Sequence, residues 1–182
     1  SDIHYSSSKD NNKLNKILNK IKNYELDYIC IPGDLIDDIR ITNIEYLLQW
    51  LAKLSNICPV IVSLGNHDIR IKESKKYKNN FNNYFCDKLN EIDNIYLLNN
   101  SYKSFDNIYF YGYTQSFNYY YLKKNEDKEL MKKEIDEYMV CDNMPNKFSI
   151  LLMHSPIHID DDNIKKKLDK YDLIFCGHMH NG

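Results

Sequence analysis

The chain has 182 residues, 43% hydrophobic and 27% charged, which supplies one sizeable core and, at about 150 residues per domain, one domain. A formal charge of -2 gives no basic field of the kind that marks nucleic-acid binding, and no run approaches the roughly 18 apolar residues of a membrane span. Cys30, Cys58, Cys86, Cys141 and Cys176 are odd in number with no Cys-x-x-Cys pair, so neither a disulfide framework nor a zinc knuckle is expected, and a reducing, cytoplasmic compartment is.

After Asp2-Ile3-His4, a polar run from Tyr5 to Asn12 reads as a loop, and Leu14, Ile17, Leu18, Ile21 and Leu26 recur at helical spacing. The apolar run Tyr28 to Ile31, closed by Pro32-Gly33, predicts a buried strand whose turn presents Asp34. Thr42 and Glu45 have capping-box spacing ahead of a helix with Ile44, Leu47, Leu48, Leu51 and Leu54 on one face. Pro59 ends it, and Val60 to Leu64 predicts a second strand delivering Gly65-Asn66-His67-Asp68.

Tyr77, Phe81, Tyr84, Phe85 and Leu89 predict a helix over 75–89, followed by a strand at Ile95 to Leu98. Tyr102 to Phe105 and Ile108 to Tyr111, split by Asp106-Asn107, predict a hairpin. Tyr113 to Tyr121 reads as an aromatic-rich loop, open to base stacking but more simply explained as core or hairpin packing. A helix from Glu126 ends before Pro145, and Phe148 to Met153 is a strand delivering His154. Asp160 to Asp162 open a short helix with Ile164 and Leu168 inward, and the run Leu173 to Cys176 leads into Gly177-His178-Met179-His180. The lysine clusters at 72–78 and 165–167 read as solvated helix faces, and Cys30 and Cys176, inside apolar runs, read as small hydrophobes.

Alternating strands and helices describe an α/β domain, in which ligands bind beyond the carboxyl ends of the strands. Asp34, Asn66, His67, His154, His178 and His180 all fall at such ends, and with His4 five of the six histidines stand at candidate positions. Imidazole, carboxylate and amide oxygens suit Mn, Fe or Zn, and two such ions about 3.5–4 Å apart need one bridging carboxylate. That centre would generate hydroxide near neutral pH for in-line displacement at phosphorus.

The ordered motifs Asp2-x-His4, Gly33-Asp34, Gly65-Asn66-His67-Asp68, His154 and Gly177-x-His180 resemble those of calcineurin-like metallophosphoesterases over the whole chain. The resemblance implies a four-layer α/β/β/α sandwich and one catalytic domain over 1–182, here without its first strand and its C-terminal strands. It also implies that Asp2, His4 and His180 bind one metal, that Asn66, His154 and His178 bind the other, and that Asp34 bridges them. His67 would be the general acid or oxyanion stabiliser and Asp37 its orienting carboxylate, with Asp68 as orienter or turn cap. Asp2 and His4, at the terminus, would lack a rigid scaffold, so the first metal site would be the weaker half. His158 reads as a surface or substrate-side imidazole rather than a ligand.

Asp38 stands where the phosphoprotein phosphatase branch has Arg-Gly, which argues against Ser/Thr protein phosphatase activity. The expected function is a binuclear metal-dependent phosphoesterase attacking a phosphodiester, or a phosphomonoester, with metal-bound hydroxide. The expected partner is a small-molecule phosphoester. A catalytically silent scaffold of the same fold and a nuclease are the alternatives.

Overall fold

The computed structural model describes residues 1–37, 44–73, 81–123, 125–139 and 146–180. In chain order the elements are α1 (Asn11–Ile21), β1 (Ile29–Pro32), α2 (Ile44–Ser55), β2 (Val60–Ser63), α3 (Asn66–Glu73), α4 (Phe81–Asn90) and β3 (Ile95–Leu97). The second half contributes β4 (Ser101–Ser104), β5 (Ile108–Tyr113), α5 (Glu126–Tyr138), β6 (Phe148–Met153), α6 (Asp162–Leu168) and β7 (Leu173–Phe175). The expectations that involve Asp38, Thr42, Tyr77, Cys141 and Pro145 lie outside the described residues.

β1, β2 and β3 form a parallel sheet in that order, with Ile29 opposite Val60 and Val60 opposite Ile95. Parallel strands are covered on both faces, which is why these short runs are almost uninterruptedly apolar. On one face, Leu14 and Leu18 of α1, Leu47, Trp50, Leu51 and Leu54 of α2, and Phe85 and Leu89 of α4 make the first core. Trp50 also donates its indole N–H to the Leu14 carbonyl at 2.8 Å, tying α2 to α1.

The second sheet runs β4-β5-β6-β7, with β4 and β5 antiparallel as the hairpin reading expects and the rest parallel. Met131 and Ile135 of α5 and Ile164 and Leu168 of α6 cover its outer face. The inner faces of the two sheets meet through Ile61, Leu98, Phe110, Ile150 and Leu152. The architecture is therefore a four-layer α/β/β/α sandwich. Among the described residues no helix is long and apolar enough to cross a membrane. Burial pushes the Cys30 thiol up to about 12 and the Cys176 thiol up to about 11, which suits their reading as hydrophobes.

Three features depart from the sequence reading. Leu26 lies beyond α1 in the following turn, at the surface. The Asn66-His67-Asp68 stretch, expected only as residues delivered by the second strand, is the first turn of α3, where the Ile69 N–H reaches the Gly65 carbonyl at 3.0 Å. The N-terminal segment also has a scaffold. Its Asp2, His4 and Tyr5 N–H groups donate to the carbonyls of Gly33, Asp34 and Leu35 at 3.3, 3.0 and 2.9 Å, and Tyr5 bridges Ile36 in parallel fashion. Ile3 and Tyr5 are buried in the core, whereas Asp2 and His4 beside them stay half-buried. Burying a side chain of this size contributes about 1.5–3 kcal/mol, enough to hold a terminus that sequence alone leaves to fray.

The loops after β1 and β2 are joined by one carboxylate. Asp68, 4% exposed, accepts the N–H groups of Gly65, Asp34 and Leu35 at Oδ2 (2.9, 2.8 and 3.4 Å) and that of Ile36 at Oδ1 (3.1 Å). Burial and the neighbouring Asp34 charge push its carboxyl up to about 6, so it is still ionised at neutral pH. Asp68→Asn keeps the shape but turns an N–H₂ toward these donors. It is expected to cost about 2–4 kcal/mol in urea denaturation, and an unchanged midpoint would contradict the role. Gly112 of β5 marks the close approach of the sheets, since a β-carbon there would fall 2.4 Å from both Cβ and the carbonyl oxygen of Leu98. Gly112→Val is expected to destabilise by about 1–3 kcal/mol, read as a drop of several degrees in the thermal midpoint.

Candidate metal centre

The ends of β1 and β2 meet the ends of β6 and β7, and the nine predicted site residues gather at this seam. The donor atoms of Asp2, His4 and His180 lie within 4.8 Å of one another, as do those of His4, Asp34 and His67 and those of Asp2, Asp34 and His154. Within these groups, His4 Nε2 is 3.2 Å from His180 Nε2, 3.6 Å from Asp34 Oδ2 and 3.8 Å from Asp2 Oδ1. His154 Nε2 is 3.1 Å from Asp34 Oδ2 and 3.0 Å from Asn66 Oδ1. His178 joins through Asn66, its Nδ1 3.0 Å from the same Oδ1, and its main-chain N–H donates to both Asp2 oxygens at 3.0 and 3.2 Å.

Asp2, His4, Asp34, His178 and His180 all have positive φ, between 45° and 73°. Left-handed backbone is uncommon for residues with a β-carbon and concentrates at sites where surrounding bonds fix it. Gly33, at φ 80°, continues this turn, and a β-carbon there would fall 2.6 Å from His154 Nδ1.

Asp37 contributes differently from the sequence expectation. His67 Nδ1 donates to the Asp37 main-chain carbonyl at 2.7 Å, whereas the Asp37 carboxylate is 3.4 Å from that nitrogen and 3.5 Å from His4 Nδ1. The Arg70 guanidinium reaches the same carbonyl at 3.4 Å. Arg70 follows His67 by three residues, the spacing that puts two side chains on one helix face, but that signal is visible only once α3 is known to start at Asn66. Asp68 is the turn cap, not an orienter. His158 is half-buried, pairs with Asp127 at 2.9 Å and is not among the groups of ligand-type side chains.

The aromatic loop divides its residues between core and site. Tyr119 is buried in the core of the second sheet, Phe117 and Tyr121 stack at 4.4 Å, and the Tyr120 ring lies 5.6 Å from that of His178. Gln115 is the neighbour of the site that sequence reasoning passed over. Gln115 carries the same signal as the ligands, a polar residue just past a strand end.

Protonation tests whether a cation fits. His154 Nδ1 faces the Pro32 carbonyl at 3.0 Å and so carries a proton, which leaves a lone pair on Nε2 in the neutral ring. That lone pair, Asn66 Oδ1 and Asp34 Oδ2 then converge with no donor among them. The pairing of His4 Nε2 with His180 Nε2 likewise has room for one proton at most. Converging lone pairs of imidazole, amide and carboxylate are what a divalent cation neutralises, so the residues fit one.

Electrostatics supports the same reading. Burial holds His4 below the ordinary imidazole value, and burial followed by the neighbouring His154 does the same for His178, keeping both neutral near pH 7. Burial pulls His154 down too and is the largest single effect, but the hydrogen bond and charge of Asp34, the Pro32 carbonyl and the Asp2 charge together outweigh it and its value rises. Burial, the largest single effect, would raise Asp34, but the hydrogen bonds and charges of His154 and His67 together outweigh it and the carboxyl is lowered. Without a cation, both shifts thus favour the ion-paired form of His154 and Asp34.

The family model of the calcineurin-like phosphoesterases matches residues 1–182. Among curated proteins there is no match. With the match running over the entire chain and ligand-type side chains converging at the seam of a four-layer sandwich, the chain belongs to the calcineurin-like phosphoesterase family, whose members are in general metal-dependent phosphoester hydrolases.

Proposed function

We propose that this protein hydrolyses a small phosphodiester or phosphomonoester at a binuclear centre. The observation that carries the reading is Asp34: its Oδ2 stands 3.6 Å from His4 Nε2 and 3.1 Å from His154 Nε2, one carboxylate oxygen serving two groups of ligand-type residues. Asp2, His4 and His180 would hold one divalent cation, Asn66, His154 and His178 the other, and Asp34 both; the donor types suit Mn, Fe or Zn. When bound, the cations supply Lewis acidity at phosphoryl oxygens and lower the pKa of water.

The chain's own residues set the rest. The His67 N–H donates to Asp34 Oδ1 at 2.9 Å, which fixes one oxygen of that carboxylate and leaves Oδ2 facing the two histidines. Because His67 Nδ1 is committed to the Asp37 carbonyl, Nε2 is the atom that exchanges protons. As an imidazolium it donates from Nε2 to the leaving oxygen, a contribution of roughly 10² to 10⁴ in rate. The Asn66 carbonyl oxygen faces His154 Nε2 and His178 Nδ1, so its N–H₂ is the part able to donate to a phosphoryl oxygen.

Replacing Asp34 by Asn keeps the shape and removes the charge. Mn-dependent hydrolysis of an aryl phosphodiester is expected to fall by at least about 10²-fold, and a wild-type rate in the variant sinks the bridging role. The ion pair predicts a pH dependence as well. A raised His154 value contributes stability below the ordinary imidazole value and loses it as pH rises through the raised one. A lowered Asp34 value contributes above 3.8 and is lost as pH falls through the folded value. A cation at Nε2 replaces that proton, so the rise in thermal midpoint on adding Mn²⁺ is expected to grow from about pH 6 to about pH 8, with proton release in calorimetry. A rise that is the same at both ends contradicts the assignment of His154.

A further inference from the structure

Gln115 follows β5 at the same end of the sheet as the ligand-type residues and is fully buried, although nothing in the proposed chemistry uses it. Both ends of its amide engage one residue: Nε2 donates to the Ser155 carbonyl at 2.8 Å, and Oε1 accepts from the Ser155 N–H at 3.1 Å. The same Oε1 accepts the Tyr120 hydroxyl at 2.8 Å. Ser155 is the residue after His154, and the Tyr120 ring lies 5.6 Å from that of His178 and 6.5 Å from that of His154.

We propose that Gln115 is the positioning residue for the His154 and His178 half of the centre, fixing the peptide that follows one histidine and the aromatic ring that backs the other. This rests on the metal-binding reading above. A neutral primary amide can give and take a hydrogen bond at once, so it closes a ring with the Ser155 peptide that only one orientation satisfies. Leu offers neither group, and Glu would set a carboxylate against the Ser155 carbonyl. Buried bonds of this kind are costly to leave unmade, so loss of the amide is answered by movement of the loop. Movement of that loop separates His154 from Asn66 Oδ1, which both histidines approach at 3.0 Å.

The competing account is that Gln115 only satisfies buried polar groups and contributes to stability alone. Mn²⁺ titration calorimetry and the visible absorption of the Co²⁺-loaded chain separate the two, applied to wild type, Gln115→Leu, Tyr120→Phe and Ser149→Ala. Ser149 is an internal control: it is buried at the far end of β6, where its hydroxyl oxygen lies 2.8 Å from Asp172 Oδ2 and 3.2 Å from the Lys170 carbonyl, two acceptors for its one proton. Gln115→Leu is expected to weaken Mn²⁺ binding by about 10- to 100-fold and to shift the Co²⁺ band. Tyr120→Phe keeps the ring, loses the hydroxyl and is expected to move both readouts less in the same direction. Ser149→Ala is expected to lower the thermal midpoint and leave both readouts as in wild type. Wild-type affinity and spectra in Gln115→Leu overturn the positioning role. Should that variant not fold, the same result in Tyr120→Phe overturns it. A wild type that binds no Mn²⁺ overturns the metal reading and this inference together.

Discussion

The carboxylate of Asp68 is the constraint on which the site depends. Two parallel strands end side by side, and the chain leaves each in a different direction, so their first few N–H groups would otherwise face the interior unpaired. Asp68 takes four of them, from Gly65 and from Asp34 to Ile36. Charge-assisted bonds to a buried carboxylate are among the stronger hydrogen bonds available to a protein, and here they fix the backbone of Asp34 itself. One acid is thereby structural and its neighbour functional. The division follows from donors: Asp68 is enclosed by N–H groups, while Asp34 receives one from His67 and turns its other oxygen to imidazoles.

The same economy of restraint explains the strained backbone. Left-handed conformations at Asp2, His4, Asp34, His178 and His180 cost of order 1–3 kcal/mol each, and local sequence offers nothing to offset them. Bonds between distant segments do. Asp2 and His4 are held by the turn after β1, and Asp2 in turn accepts the His178 N–H. The first and last parts of the chain therefore fix each other, and neither holds its geometry without the other.

Much of this was legible in the sequence. Apolar runs closed by glycine or a polar residue mark strand ends, and the chemistry of the residues just past each run identifies Asp34, Asn66, His67, His154, His178 and His180 without any structure. Elements with a clear period, such as the buried faces of α2 and α6, were equally readable. The part that the sequence hides is non-local. Nothing near Asp37 says that its carbonyl as well as its carboxylate meets His67, because that depends on where α3 begins. The start of α3 is masked in turn by a Gly-Asn pair that reads as a turn. Gln115 stands just past a strand end like the ligands, but what it holds is hidden for the same reason, since its partner lies forty residues away. The fraying assigned to Asp2 and His4 came from their position in the chain, whereas their order comes from Ile3 and Tyr5 beside them.

The site is a seam between two sheets, and this shapes which substitutions should disturb it. Asp34, Asn66 and His67 come from the first sheet and its turns; His154, His178 and His180 come from the second. The two sets touch through the His154 bond to the Pro32 carbonyl and through the backbone of Gly33 lying against that ring. Relative sliding of the sheets would change the ligand spacing directly, because each sheet moves its own set as a body. The contacts that oppose sliding are the inner-face side chains Ile61, Phe110, Ile150 and Leu152, together with the close approach of Leu98 to Gly112. Interiors packed this tightly transmit small volume changes rather than absorbing them. Volume changes in that inner layer therefore act on the spacing between the two sets of ligands. The same changes under α1 or α5 act first on stability, because those helices lie on the outer faces and touch only one sheet each.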